Sequence, residues 1–130
     1  MLEIPLRTTS REELIDLTES LREAVRDGGA DSGACLVYCP HTTAGLFVNE
    51  GYDPAVGDDI QSFLRRLVPD DGRWTHAEGN APAHVKATLV GHSVWLPIVA
   101  GELCLGRWQA VFFAEFDGPR DRRILLHIGG

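Results

Sequence analysis

Hydrophobic positions recur at helical spacing early in this chain and in strand-length runs later. Residues 2–7 read as a short strand, and Pro5 suits an edge because it offers no N–H to a ladder. Leu14, Leu17, Leu21 and Val25 then recur at helical intervals until Gly28-Gly29, which predicts an amphipathic helix. Ser10 is its expected cap, with Glu13 completing a capping box. Residues 34–39 and 44–48 are apolar and free of breakers, so they read as two strands separated by Pro40-His41-Thr42-Thr43.

Asp53-Pro54 opens a second helix, with Asp as cap and Pro at the first helical position. Val56, Ile60, Phe63, Leu64 and Leu67 form its apolar face until Pro69. Residues 70–81 read as a loop, followed by a short helix that Pro82 opens and Gly91 closes. Strands are expected at 93–99, 103–116 and 122–128, with turns at 100–102 and 117–119. The expected fold is α+β, with mainly antiparallel, sandwich-like sheets and two or three flanking helices.

At 130 residues the chain fits one domain spanning 1–130. A formal charge of -7 argues against a nucleic-acid partner, whose phosphates select clustered Lys and Arg. No apolar run reaches the roughly 20 residues that span a bilayer, so no membrane partner is expected. The start of the chain lacks the pattern of a secretory signal, which makes a cytoplasmic location the expectation. Cys35, Cys39 and Cys104 lack zinc-pair spacing and read as reduced cysteines packed as small hydrophobes.

Three segments concentrate groups able to bind metal, move protons or hold phosphate. The first is His41-Thr42-Thr43, with Asn49-Glu50 and Asp53 beyond the next strand. The second runs from His76 through Asn80 to His84, where Gly79 and Pro82 argue against one continuous helix. The third is the strand at 103–116, in which period two places Gln109, Val111, Phe113 and Glu115 on one face. Lys86, the only lysine, would suit a phosphate or carboxylate ligand. Glycine-rich phosphate loops, a serine nucleophile elbow and the HExxH motif are all absent.

The segments Pro40-His41-Thr42-Thr43-Ala44, Asn49-Glu50, Gly79-Asn80, Ala83-His84-Val85-Lys86-Ala87, Trp108-Gln109 and Glu115-Phe116-Asp117-Gly118-Pro119-Arg120 occur in one order. In that order they resemble the YjbQ family over nearly the whole chain. Arg107 departs from the pattern, where the family commonly has Thr. The resemblance implies a homotrimer and a secondary thiamine-phosphate synthase activity. That reaction joins a pyrimidine-methyl diphosphate to a thiazole phosphate and releases pyrophosphate.

On residue chemistry and family position together, His41, His76, His84 and Glu50 are the expected catalytic group. The three histidines are the expected ligands of a divalent ion, Zn, Mn or Mg. Thr42, Thr43, Asn49, Asn80, Lys86, Gln109, Glu115 and Arg120 are the expected contacts to a small-molecule substrate. Two other readings use the same residues: a metal-dependent hydrolase of a small substrate, or a non-catalytic trimer that binds metal or a small ligand.

Overall fold

The computed structural model describes residues 1–72, 74–75 and 79–129. In chain order the elements are β1 (Leu2–Arg7), β2 (Glu13–Asp16), α1 (Thr18–Gly28), β3 (Gly33–Tyr38), β4 (Ala44–Glu50), α2 (Pro54–Leu67), α3 (Ala81–Val90), β5 (Ser93–Val99), β6 (Glu102–Leu103), β7 (Gln109–Glu115) and β8 (Asp121–Gly129). The strands form a five-stranded sheet, β1-β8-β3-β5-β6, and a three-stranded sheet, β2-β7-β4. Every pairing is antiparallel. The expected α+β, sandwich-like architecture with three helices is the one observed.

Alternation along the strands makes the core. Cys35, Val37, Leu96, Ile98, Ile124 and Leu126 point inward from the larger sheet and meet Leu46, Val111 and Phe113 from the smaller one. Helix α1 adds Leu21 and Val25 to the same cluster, and Leu17 joins them from the position just before it. Leu21 and Val25 are wholly buried, each contributing roughly 1.5–3 kcal/mol relative to exposure. The other face of β7 is also covered: Ala114 and Phe116 pack with Ala83 and Ala87 of α3, and Leu14, Phe47 and Leu64 lie against them. Strand β7 is therefore the middle layer of the molecule.

Tertiary pairing corrects two sequence expectations. The first helix starts at Thr18, because Glu13–Asp16 pairs with β7 instead of extending the helix. Leu14 shares the helical spacing of Leu17, Leu21 and Val25 but packs in the second cluster, as strand alternation requires. Glu13 still accepts hydrogen bonds from the Thr9 and Ser10 amides, so the expected box survives as a turn. The strand foreseen over 103–116 is two strands in different sheets, β6 and β7. Between them the Gln109 side chain accepts from the Gly106 amide at 2.7 Å and the Gln109 amide donates to the Gly106 carbonyl at 3.1 Å.

Helix α2 begins as read: Asp53 Oδ1 accepts from the Ala55 amide at 2.9 Å, with proline at the first turn. All three cysteines are free, but Cys104 is exposed, because it follows the short edge strand β6 instead of lying inside a long one.

Gly45 sets the distance between the smaller sheet and α3. A Cβ there would lie 2.5 Å from the Gly91 carbonyl oxygen, which accepts the Leu46 amide at 3.0 Å. This approach brings the C-terminal half of α3 and the 91–92 turn against the loop that joins β3 to β4.

Candidate functional site

Two adjoining clefts open where the β3–β4 loop meets α3. One, of about 330 Å³, is lined by Pro40, His41, Thr42, Thr43, Asn80, His84, Asp117, Arg120 and Arg122. The other, of about 520 Å³, shares His41, Thr42 and His84 and continues past Ala87, Thr88 and Gly91 to His92. His84 and Thr88 lie one helical turn apart on α3, and the Thr88 hydroxyl donates to the His84 carbonyl at 2.9 Å.

His41 is placed by the end of a ladder. Strand β3 pairs Tyr38 with Leu125, so the next partner of β8 would be Pro40 opposite Arg123, and proline has no N–H to give. The His41 ring fills that place. Its Nε2 lies 3.0 Å from the Arg123 amide nitrogen and 3.1 Å from the Arg123 carbonyl oxygen, so either tautomer finds a partner. The ring also meets Phe113 edge-on at 6.4 Å. Burial, then the positive charge of Arg122, holds the His41 pKa below its ordinary value. The imidazole is neutral at pH 7, with Nδ1 uncommitted among the described residues.

The floor of the smaller cleft is a buried ion pair. Arg122 donates through Nε to Glu115 Oε1 at 2.8 Å and through Nη2 to Glu115 Oε2, and Nη2 also reaches the Thr43 hydroxyl at 2.8 Å. Glu115 is wholly buried and Arg122 is 8% exposed. The Thr8 hydroxyl and the Asp117 amide complete the shell of Glu115, at 2.8 and 3.0 Å. Burial alone would raise the Glu115 pKa, but hydrogen bonds from Arg122, the Asp117 amide and Thr8 outweigh it and hold the carboxyl below its usual range.

Two residues along, the arrangement repeats nearer the surface. Arg120 donates through Nε to the Asp117 carbonyl at 2.7 Å and through Nη2 to Asp117 Oδ2 at 2.9 Å. Asn80 Nδ2 donates to the same carboxylate oxygen at 2.8 Å. Burial works against ionisation of Asp117, yet Asn80 and Arg120 keep its pKa lowered.

The sequence model of the UPF0047 protein YjbQ-like family matches residues 2–130. The chain belongs to the YjbQ/UPF0047 family. A UPF0047 protein of Methanocaldococcus jannaschii is 46% identical over 125 residues, which is 96% of this chain and 91% of that one. The UPF0047 protein YugU of Bacillus subtilis is 41% identical, covering 98% of this chain and 97% of its own. A crystal structure of a YjbQ/UPF0047 family protein from Clostridium acetobutylicum superposes with a TM-score of 0.97 at 43% identity, covering 99% of this chain and all of the other.

Of the residues singled out on the YjbQ pattern, His41, Thr42, Thr43, Asn80, His84 and Arg120 line the one cleft. Five others do not join them. Glu50 and Gln109 are paired at the far end of the β4–β7 ladder, whose near end pairs Ala44 with Glu115. Six strand steps put them roughly 20 Å from the His41 end. There Asn49 Oδ1 accepts the Glu50 amide at 2.7 Å and Glu50 Oε2 accepts the Asp53 amide at 3.3 Å, so these side chains shape the turn into α2. Lys86 is buried against Glu12, 2.9 Å away, because it follows Ala83 on the sheet-facing side of α3. Glu115 faces inward and holds Arg122 instead of meeting solvent. His76 lies outside the described residues.

Among the described residues no group of three His, Cys, Asp or Glu side chains converges. The cleft wall carries two guanidiniums instead, which suits an anion better than a resident cation. Arg122, Asp117 and Thr8 are the members that the sequence reading missed. One signal was available: Arg122 shares strand parity with the inward-facing Ile124 and Leu126, and an arginine in that row needs a buried acid.

Proposed function

We propose that this cleft is the active site of a small-molecule transferase acting on a phosphorylated substrate, with secondary thiamine-phosphate synthase chemistry as the specific reaction. The observation that carries the reading is the meeting of His41, Thr42, Asn80, His84 and Arg120, from three separated segments, on one cleft. In that reaction the thiazole nitrogen bonds to the pyrimidine methylene carbon while the carbon–oxygen bond to diphosphate breaks. Pyrophosphate leaves with the electron pair and the product keeps the thiazolium charge.

The protein's share is positioning and charge. The clamped arginines offset charge on the departing diphosphate. Neutral His41 offers Nδ1 for a hydrogen bond without adding a third cation to the two arginines, and Asn80, fixed on Asp117, supports one edge of a ring. A divalent ion would be held by His41 and His84 together with the substrate's own phosphate oxygens, Zn²⁺ or Mn²⁺ being better suited than Mg²⁺ to imidazole donors. Once bound it would screen diphosphate charge.

The test is a coupled assay for pyrophosphate release, with mass detection of thiamine phosphate, using purified protein and the two substrates without added metal and with Zn²⁺, Mn²⁺ or Mg²⁺ in turn. Release that depends on both substrates supports the reading. Hydrolysis of one substrate alone favours a hydrolase, and binding without turnover favours a non-catalytic ligand-binding protein.

We also propose a homotrimer built on the outer face of the larger sheet. There Leu36, Tyr38, Trp95, Val99 and Leu125 make an apolar surface, with Trp95 62% exposed. The stripe of Phe112 and Phe116 is already covered within the chain, by Phe47 and the α3 alanines. The free cysteines fit the reducing cytoplasm as the compartment. No helix among the described residues is long and apolar enough to cross a membrane.

A further inference from the structure

We infer that Arg120 and Arg122 form a paired oxyanion clamp, each guanidinium locked side-on by an acceptor of the 115–117 segment and presenting its Nη1 edge to the cleft. This assignment rests on the transferase reading and names the subsite in which the phosphate group sits.

The donor count carries it. A guanidinium has five N–H donors: one on Nε and two on each Nη. In Arg122 the Nε donor and one Nη2 donor go to Glu115, and the second Nη2 donor goes to Thr43. Both Nη1 donors are left over. Arg122 lines the cleft, and it is absent from the buried polar atoms that lack a partner, so the cleft is where this edge opens. In Arg120, Nε and Nη2 are likewise spent on Asp117, and Nη1 again has no partner among the described residues.

The spacing is matched on both sides. Glu115 and Asp117 are two residues apart, as are Arg120 and Arg122, and the turn at 117–119 brings the pairs together. The Thr8 hydroxyl donates to Glu115 at 2.8 Å and accepts the Arg120 amide at 2.8 Å, which links the two clamps. A ligand therefore meets donors whose rotamers are already fixed, so little side-chain entropy is lost on binding. The group that fits is a phosphate or diphosphate, with several acceptor oxygens to span two guanidinium edges. Glu115 and Asp117 act through the arginines and are positioning residues.

The experiment is calorimetric titration of the folded protein with inorganic pyrophosphate, alongside NMR of the arginine side-chain N–H signals. Wild type is expected to bind with the Nη1 protons of both arginines shifted and the Nε protons little changed. Arg120→Gln, at an exposed position, and Arg122→Lys should each weaken binding by at least about tenfold. Asp117→Asn should weaken it several-fold and remove the distinct Arg120 signals while circular dichroism stays native. Equal affinity in wild type, Arg120→Gln and Arg122→Lys overturns the clamp, as does no binding by wild type at millimolar pyrophosphate. Loss of binding in both arginine variants, with no synthase turnover in wild type, upholds the clamp and rejects the transferase reading.

Discussion

Replacing Glu115 by Gln keeps the shape of the side chain and removes its charge, and the surroundings make the cost large. The carboxylate accepts four hydrogen bonds: from Thr8, the Asp117 amide, and Arg122 Nε and Nη2. An amide offers one oxygen, so its NH₂ must face two of those donors in either orientation. It also leaves the Arg122 guanidinium, 8% exposed, without a counter-charge. Breaking a buried pair in this way costs about 3–5 kcal/mol. For a domain of this length that is a fall in Tm of roughly 10–20 °C.

The assay is urea unfolding followed by tryptophan fluorescence, at several pH values. The folded pKa of Glu115 is lowered, so its contribution is full above the unfolded value and is lost as pH falls through the folded one. The gap between wild type and Glu115→Gln should therefore be widest at neutral pH and narrow in acid, below the ordinary value of 4.5. Glu115→Gln combined with Arg122→Met should recover part of the loss, since no unpaired guanidinium remains buried. A gap under about 1 kcal/mol at pH 7, against the 3–5 expected, or a gap unchanged down to pH 3, would refute the reasoning.

Glu50→Ala and Gln109→Ala should leave pyrophosphate affinity within about twofold of wild type, because both residues sit at the far end of the β4–β7 ladder; titration calorimetry checks it. The His41 pKa, followed by the NMR shift of its ring protons, should lie below 6.5 and rise in Arg122→Met, where a facing charge is gone. Since the folded value is the lower one, His41 favours the folded state above pH 6.5 and loses that contribution as pH falls toward the folded pKa. Gly45→Ala should cost at least about 1–3 kcal/mol, read as a lower Tm, because its Cβ meets backbone at Gly91. Trp95→Glu should convert an assembled species to monomer by light scattering, while the circular dichroism of the fold is kept.

Elements whose signals are local were legible in the sequence. Asp53-Pro54 starts α2 because a cap and a first-turn proline act within four residues, and Gly91 ends α3 for a similarly local reason. The start of α1 was hidden because Glu13–Asp16 becomes a strand only through its pairing with β7, almost 100 residues away. His41 and His84 were found because polar residues interrupt apolar runs there. Glu50 was grouped with them by nearness in sequence, yet an intervening strand carries the chain the length of a sheet. Arg122 was missed because its role depends on Glu115, which parity alone does not make its partner.

The clamp has a further consequence for how the cleft comes into being. Its parts are supplied by the segment after β1, the loop before β4, the end of β7 and the start of β8, with Thr8 and Glu115 separated by 107 positions. Residues 115–122 carry both arginines and both acids, but the Thr8 and Thr43 hydroxyls that link and complete the clamps come from distant parts of the chain. A one-residue slip of β8 would exchange the inward Arg122 for the outward Arg123 and dismantle the pocket. Affinity for phosphate should thus appear last during refolding and vanish first under partial denaturation, making ligand capture a reporter of the native register of the whole chain.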